Sequence, residues 1–161
     1  MSAASSATCD LLVLHEEAIE KLYRTFADRF EADRDFWLAL VAEEARHVAW
    51  LRALAQSPPP GVRAAEERLR GQAIRTSLEF IGRETAKAAS PAATRLGALS
   101  VAQDIESSMI ERKYFEVLDA DPVERQRLLR QIVADTQAHF ARVRERLQAV
   151  RGVAGGAGPA R

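Results

Sequence analysis

Within the apolar run from Phe36 to Leu54, two residues capable of chemistry stand three positions apart. They are Glu44 and His47, in the hexapeptide Ala42-Glu43-Glu44-Ala45-Arg46-His47. On an α-helix, residues three apart project from adjacent turns of one face. The apolar stripe here runs Trp37, Leu40, Val41, Val48, Leu51, Leu54, and Glu44 and His47 fall inside it. A carboxylate and an imidazole on a buried face are unfavourable unless a partner compensates them. Glu-x-x-His aimed into a helix bundle is a recurrent device for holding metal ions. A weaker copy, Ala134-Asp135-Thr136-Gln137-Ala138-His139, lies nearer the C-terminus. Aligned on the histidines, Thr136 occupies the place of Glu44.

Two further carboxylates lie in apolar stripes. Glu16 follows Leu12 by four and precedes Ile19 by three, and Glu106 shares a face with Leu99, Gln103, Ile110 and Val117. Glu16 and Glu44 are 28 positions apart, and Glu106 and Thr136 are 30 apart. Glu16 to Glu106 is 90 positions and His47 to His139 is 92. The pattern is a pseudo-repeat of two helical hairpins. It would bring Glu16, Glu44, His47, Glu106 and His139 together as a metal constellation. His15 borders the first stripe beside Leu11 and Leu22, where a solvent or backbone partner is expected rather than ligation.

Composition narrows the function classes. The 161 residues suffice for one domain with a core. Lys+Arg and Asp+Glu are both 23, so nothing points to nucleic acid or an anionic membrane as partner. Arg142, Arg144 and Arg146, interrupted by Glu145, read as a solvated face. The single Cys9 excludes an intramolecular disulfide and a Cys-x-x-Cys metal site. No stretch approaches the roughly 20 apolar residues of a membrane span. Residues 1–8 lack the basic start and apolar run of a signal peptide. The expectation is a soluble, cytoplasmic protein.

Helices must position these residues, and the chain reads as helical almost throughout. Residues 1–9 are expected to be disordered. A first helix runs from about Asp10, its N-cap, to Phe30, with Leu12, Ile19, Tyr23, Phe26 and Phe30 at helical spacing. A second runs from about Asp35 to Ala55 and stops before Ser57-Pro58-Pro59-Pro60-Gly61. Residues 62–89 form a helical crossover, in one piece or two, with Leu69, Ile74, Leu78 and Ile81 on its apolar side. Gly71 and Gly82 weaken it. Ser90-Pro91 reads as N-cap and first position of a third helix reaching about Leu118. Asp121-Pro122 opens a fourth, to Val150, followed by a disordered Gly/Ala-rich tail over 151–161. Tyr23, Phe26, Phe30, Phe36 and Trp37 read as core packing, while Tyr23, from its position near Glu16 and Glu20, can also hydrogen-bond a carboxylate of the constellation.

Glu16 with Tyr23 seven later, Phe36-Trp37, the hexapeptide Ala42 to His47, and Glu106 with His139 resemble the ferritin-like superfamily, nearest to rubrerythrin-like proteins. The resemblance covers about residues 10–150, the first hairpin more fully than the second. It implies an all-α, ferritin-like four-helix bundle, up-down-down-up in style, with a long helical crossover between helices two and three. It also implies an iron centre in which Glu16 and Glu106 are terminal carboxylates, Glu44 a bridge, and His47 and His139 imidazole ligands. The centre would hold one or two ions, of iron or another divalent metal. The implied activity is ferrous-iron oxidation or peroxide reduction, with oxygen or peroxide as oxidant. A homodimer is the implied assembly.

Three departures from that pattern matter. Thr136 stands where the second bridging Glu belongs, Met109 where rubrerythrins carry a further Glu, and these 161 residues, with one Cys, include no rubredoxin-type cysteine site. With one carboxylate fewer, two cations roughly 4 Å apart are less well compensated. Asp135 is the nearest substitute ligand, but it lies about 100° round the helix from Thr136. Two outcomes stay open: one ion at Glu16, Glu44 and His47, or a pair completed by water. The rival from another class is a non-enzymatic bundle whose Glu and His residues form a polar core network, kept for interaction or assembly.

Overall fold

The computed structural model describes residues 3–56, 64–112 and 123–156. Among the described residues the fold is all-helical, with no strand. Five α-helices pack together: α1 Ala3–Arg29, α2 Arg34–Ala55, α3 Ala64–Ala88, α4 Arg95–Glu111 and α5 Val123–Gly156. A 3-10 turn over Glu31–Asp33 joins α1 to α2. The proline-rich break at 57–61, residues 113–118 of the expected third helix, and the Asp121-Pro122 turn lie outside the described residues. No described helix is long and apolar enough to cross a membrane.

Several boundaries differ from expectation. Helix α1 begins at Ala3, so Asp10 is an exposed mid-helix residue instead of an N-cap, and residues 3–9 form its first turns. The Ala/Ser run there does not break a helix, and the extra turns bury Thr8 and Cys9 against the core. Helix α4 begins at Arg95, because Thr94 and not Ser90 caps it. Thr94 is extended (φ −120°, ψ 152°), and its Oγ1 accepts from the Gly97 N–H at 3.0 Å. Ser90 and Pro91 lie in the turn before it. Helix α5 continues to Gly156, past Val150 and into the stretch read as a tail. Helix α3 is one uninterrupted helix through Gly71 and Gly82.

Contacts set the directions of the helices. Asp33 at the start of α2 meets Arg95 at the start of α4 and Arg146 near the end of α5. Phe26 near the end of α1 and Ala88 at the end of α3 border the same end of the molecule, beside Thr94 and Ala98. Thus α1, α3 and α5 run toward this end, and α2 and α4 run away from it. Helix α3, about 38 Å long by its 25 residues, carries the chain back so that α2 and α4 are parallel. It packs along α1, while α1 and α2 form one hairpin and α4 packs along α5.

The core is continuous. Leu12, Ile19, Leu22, Leu40, Leu51, Ile74, Ile81, Leu99 and Ile105 are all buried within it. Trp37 meets Phe26 and Tyr23 in tilted ring contacts, at ring-centre distances of 4.9 and 5.4 Å, wedging α1 against α2. At the closed end the Asp33 carboxylate is buried and takes a bidentate fork from Arg95, at 2.5 and 2.9 Å. Arg146 Nε adds a third bond at 2.8 Å. Burial alone raises the Asp33 pKa, but the two guanidinium groups outweigh it and hold the group below its ordinary value.

A depressed folded pKa contributes stability above the unfolded value and loses it as pH falls through the folded one. Asp33→Asn should therefore unfold more easily than wild type by about 1–2 kcal/mol at pH 7. The gap should narrow as pH drops below about 4. Urea unfolding of both proteins across pH 2.5–7 checks this. A gap independent of pH would contradict the ion-pair account.

Candidate metal centre

The four helices that line the interior each place polar groups at one level. Helix α1 supplies Glu16, α2 supplies Glu44 and His47, α4 supplies Glu106, and α5 supplies His139. All five are fully buried. They form two triads, Glu16/Glu44/His47 and Glu44/Glu106/His139, in each of which one donor atom per residue lies within 4.8 Å of the others. Glu44 belongs to both. Its Oε2 lies 3.0 Å from His47 Nδ1 and its Oε1 lies 2.9 Å from His139 Nδ1. A further carboxylate flanks each imidazole, with Glu16 Oε2 at 3.3 Å from His47 Nδ1 and Glu106 Oε1 at 3.6 Å from His139 Nδ1. The two rings stack with centres 5.5 Å apart.

The outward nitrogens are held as well. His47 Nε2 lies 3.3 Å from Asp135 Oδ2, and His139 Nε2 lies 2.6 Å from Glu43 Oε2. The arrangement is reciprocal, because each of these carboxylates stands four residues before one histidine and reaches the histidine of the other hairpin. Asp135 also accepts from Gln131 Nε2 at 2.8 Å, and Glu43 pairs with Arg142. Asp135 therefore does not replace the missing carboxylate at 136. It backs His47 from behind. Glu43 was not among the expected site residues, although the shared four-residue spacing in both hexapeptides is its sequence signal.

Other expectations shift in the same way. Thr136 is buried, and its hydroxyl donates to the Ile132 carbonyl at 2.9 Å, one turn back in its own helix. Tyr23, by contrast, makes the expected bond to a candidate carboxylate, donating across to Glu106 Oε1 of α4 at 2.6 Å. His15 is fully buried instead of lying at a boundary, because α3 covers α1 there and sets Ser77 Oγ 2.8 Å from its Nε2. Arg142 and Arg146 are not merely a solvated face, since both engage carboxylates of the α1–α2 hairpin and its turn.

Burial and neighbouring charge set the protonation of this cluster. Burial pushes the Glu44 carboxyl up, the Glu16 charge pushes it further, and the imidazoles offset part of this, leaving it at about 7. Burial would also raise Glu16, but the nearby imidazoles of His15 and His47 and the Glu44 carboxyl hold it well below the usual carboxylate range. Burial alone would lower both histidines. Glu16 and Glu44 outweigh it to raise His47 to about 10, and Glu106 and Glu44 raise His139 to about 11. Without metal at neutral pH, the raised values keep both imidazoles protonated, beside a Glu44 carboxyl poised between its two states. Burial and the Glu106 carboxylate raise Tyr23 well above its ordinary value, so it remains a hydrogen-bond donor.

The donor set suits a divalent ion. Carboxylate oxygens and imidazole nitrogens together match iron, zinc or manganese. Both Nδ1 atoms face inward while a carboxylate holds each Nε2, the usual support of a ligating histidine. Glu16 Oε1 and Glu106 Oε2 are buried and accept no hydrogen bond among the described residues, whereas buried acceptors normally have partners. Comparison of the chain with protein-family models, with curated proteins and with solved structures finds no match.

Tyr23→Phe removes the 2.6 Å bond and leaves a buried Glu106 oxygen short of its donor. We expect the metal-free variant to lose about 1–3 kcal/mol of stability, with unchanged helix content by circular dichroism. Equal unfolding midpoints for variant and wild type would show that this bond contributes nothing.

Proposed function

We propose that the chain is a ferritin-like, rubrerythrin-like non-haem iron protein, acting in ferrous-iron oxidation or peroxide reduction at its carboxylate/histidine centre. One observation carries the reading: Glu44 lies between two imidazoles, one oxygen toward each, with a terminal carboxylate on either side. The helix order supports it, since α1, α2, α4 and α5 surround the centre and α3 makes the long return between α2 and α4. Bound iron would supply one-electron chemistry and open positions for oxygen or peroxide. The chain's own residues do the rest. His47 and His139 offer Nδ1 as ligands, while Asp135 and Glu43 hold each Nε2–H. Glu44 joins the two half-sites, Tyr23 fixes Glu106, and full burial of the five side chains keeps bulk water out.

A second reading has its own support. The histidines pair directly with buried carboxylates, and Thr136 satisfies its hydroxyl within its own helix. That is how a polar core network would look in a non-enzymatic bundle kept for interaction or assembly.

Metal counting on protein expressed with iron separates the two readings. Wild type should carry one or two ions per chain. Glu44→Ala, which removes the residue common to both triads, should carry none at near-unchanged helix content. Thr136→Glu should be less stable than wild type without metal, through crowding of buried carboxylates, yet should bind two ions more tightly and oxidise ferrous iron faster. No metal in either wild type or Thr136→Glu favours the structural bundle.

Ligation must also displace protons. With His47 raised to about 10 and His139 to about 11, both are protonated at pH 7, and metal competes with those protons. Affinity should rise with pH between 6 and 8, by up to about tenfold per pH unit for each proton displaced. A flat profile in calorimetric titrations would contradict ligation by these histidines.

A further inference from the structure

The proposed centre uses two of the three histidines. The third, His15, is fully buried in α1, one position before Glu16. Its Nδ1 lies 3.7 Å from Glu16 Oε1, whereas His47 meets the other oxygen, Oε2, at 3.3 Å. Consecutive helical residues diverge by about 100°, so a side chain does not face its neighbour's carboxylate by default. His15 is turned there with its other nitrogen, Nε2, 2.8 Å from Ser77 Oγ on α3. Ser77 is partly buried and lines a groove of about 280 Å³ between α3 and α4, with Phe80, Arg83 and Asp104. Its hydroxyl can therefore be removed without opening a hole in the core.

The counterpart carboxylate is anchored differently. Glu106, 90 positions on, takes its bond from Tyr23 Oη of α1 at 2.6 Å. Glu106 is thus fixed directly from another helix, whereas Glu16 is approached by His15 of its own helix, itself tied to α3 through Ser77, and the two groups are unrelated in type and origin.

We propose that His15 and Ser77 are positioning residues for the half-site of Glu16, Glu44 and His47, through which helix α3 holds the Glu16 carboxylate as a ligand. This rests on the metal reading above and assigns α3 a part in it. A ligand carboxylate held from behind keeps the geometry an ion needs, and losing such support typically weakens metal binding by about 10–100-fold. The half-sites should then be separable: Ser77 and His15 control one, Tyr23 the other.

Zinc(II), which has no redox chemistry, is the probe. It is titrated into protein labelled with ¹⁵N in its histidine rings, so that His47 and His139 report the two half-sites separately, alongside calorimetry for affinity. In Ser77→Ala, zinc binding at His47 should weaken by about tenfold or more, with His139 changed less than about twofold. Ser77→Thr, which keeps the hydroxyl, should restore it. Tyr23→Phe should give the opposite pattern. A merely structural role would lower the melting temperature and weaken both half-sites alike, and that result overturns the proposal, as does unchanged binding at His47 in Ser77→Ala. Wild type that takes up no zinc at either histidine sinks the metal reading itself, and this inference with it.

Discussion

Three carboxylates buried in one helical interior repel one another and have lost their water, and the structure is arranged around answering that cost. The shared Glu44 is where the strain concentrates. It has Glu16 on one side and Glu106 on the other, and its pKa is driven up to about 7. Two inward imidazoles supply the compensating positive charge. Each imidazole is held in turn by a carboxylate from the opposite hairpin. Removing one member of such a network leaves an uncompensated buried charge, which is far more destabilising than never having buried the pair. The α1–α2 hairpin and the α4–α5 pair therefore depend on each other through polar contacts as well as apolar packing.

The reciprocal holding of the histidines shows what the pseudo-repeat does. Glu43 and Asp135 are equivalent in the two halves, and each backs the other half's histidine. The repeat breaks at Thr136, whose hydroxyl turns back to Ile132, and it breaks again in the anchors. Glu16 is reached by His15 with Ser77 behind it, and Glu106 by Tyr23. The halves are alike in their inner donors and unlike in what supports them.

The five buried donors were legible in the sequence because each lies in a 3.6-residue apolar stripe where a charged group is unexpected. Helix type was legible for the same reason. The partners that complete the site were not, because Glu43, Asp135 and Ser77 reach across to other helices and spacing along one helix does not show that. Helix starts were misread where two local signals competed. Asp10 is a good cap residue, but the preceding Ala/Ser run stays helical to bury Thr8 and Cys9. Ser90-Pro91 and Thr94 both suit a start, and Thr94 is used, with Arg95 immediately after it docked on Asp33.

The central claim is that Glu44 joins two half-sites for divalent cations. Anomalous X-ray diffraction from crystals loaded with iron or zinc tests it most directly, because it locates the ions without reference to activity. The account predicts density against Glu44: a peak among Glu16, Glu44 and His47, alone or with a second roughly 4 Å away among Glu44, Glu106 and His139. Ions bound only at surface carboxylates, with none against Glu44, would contradict it.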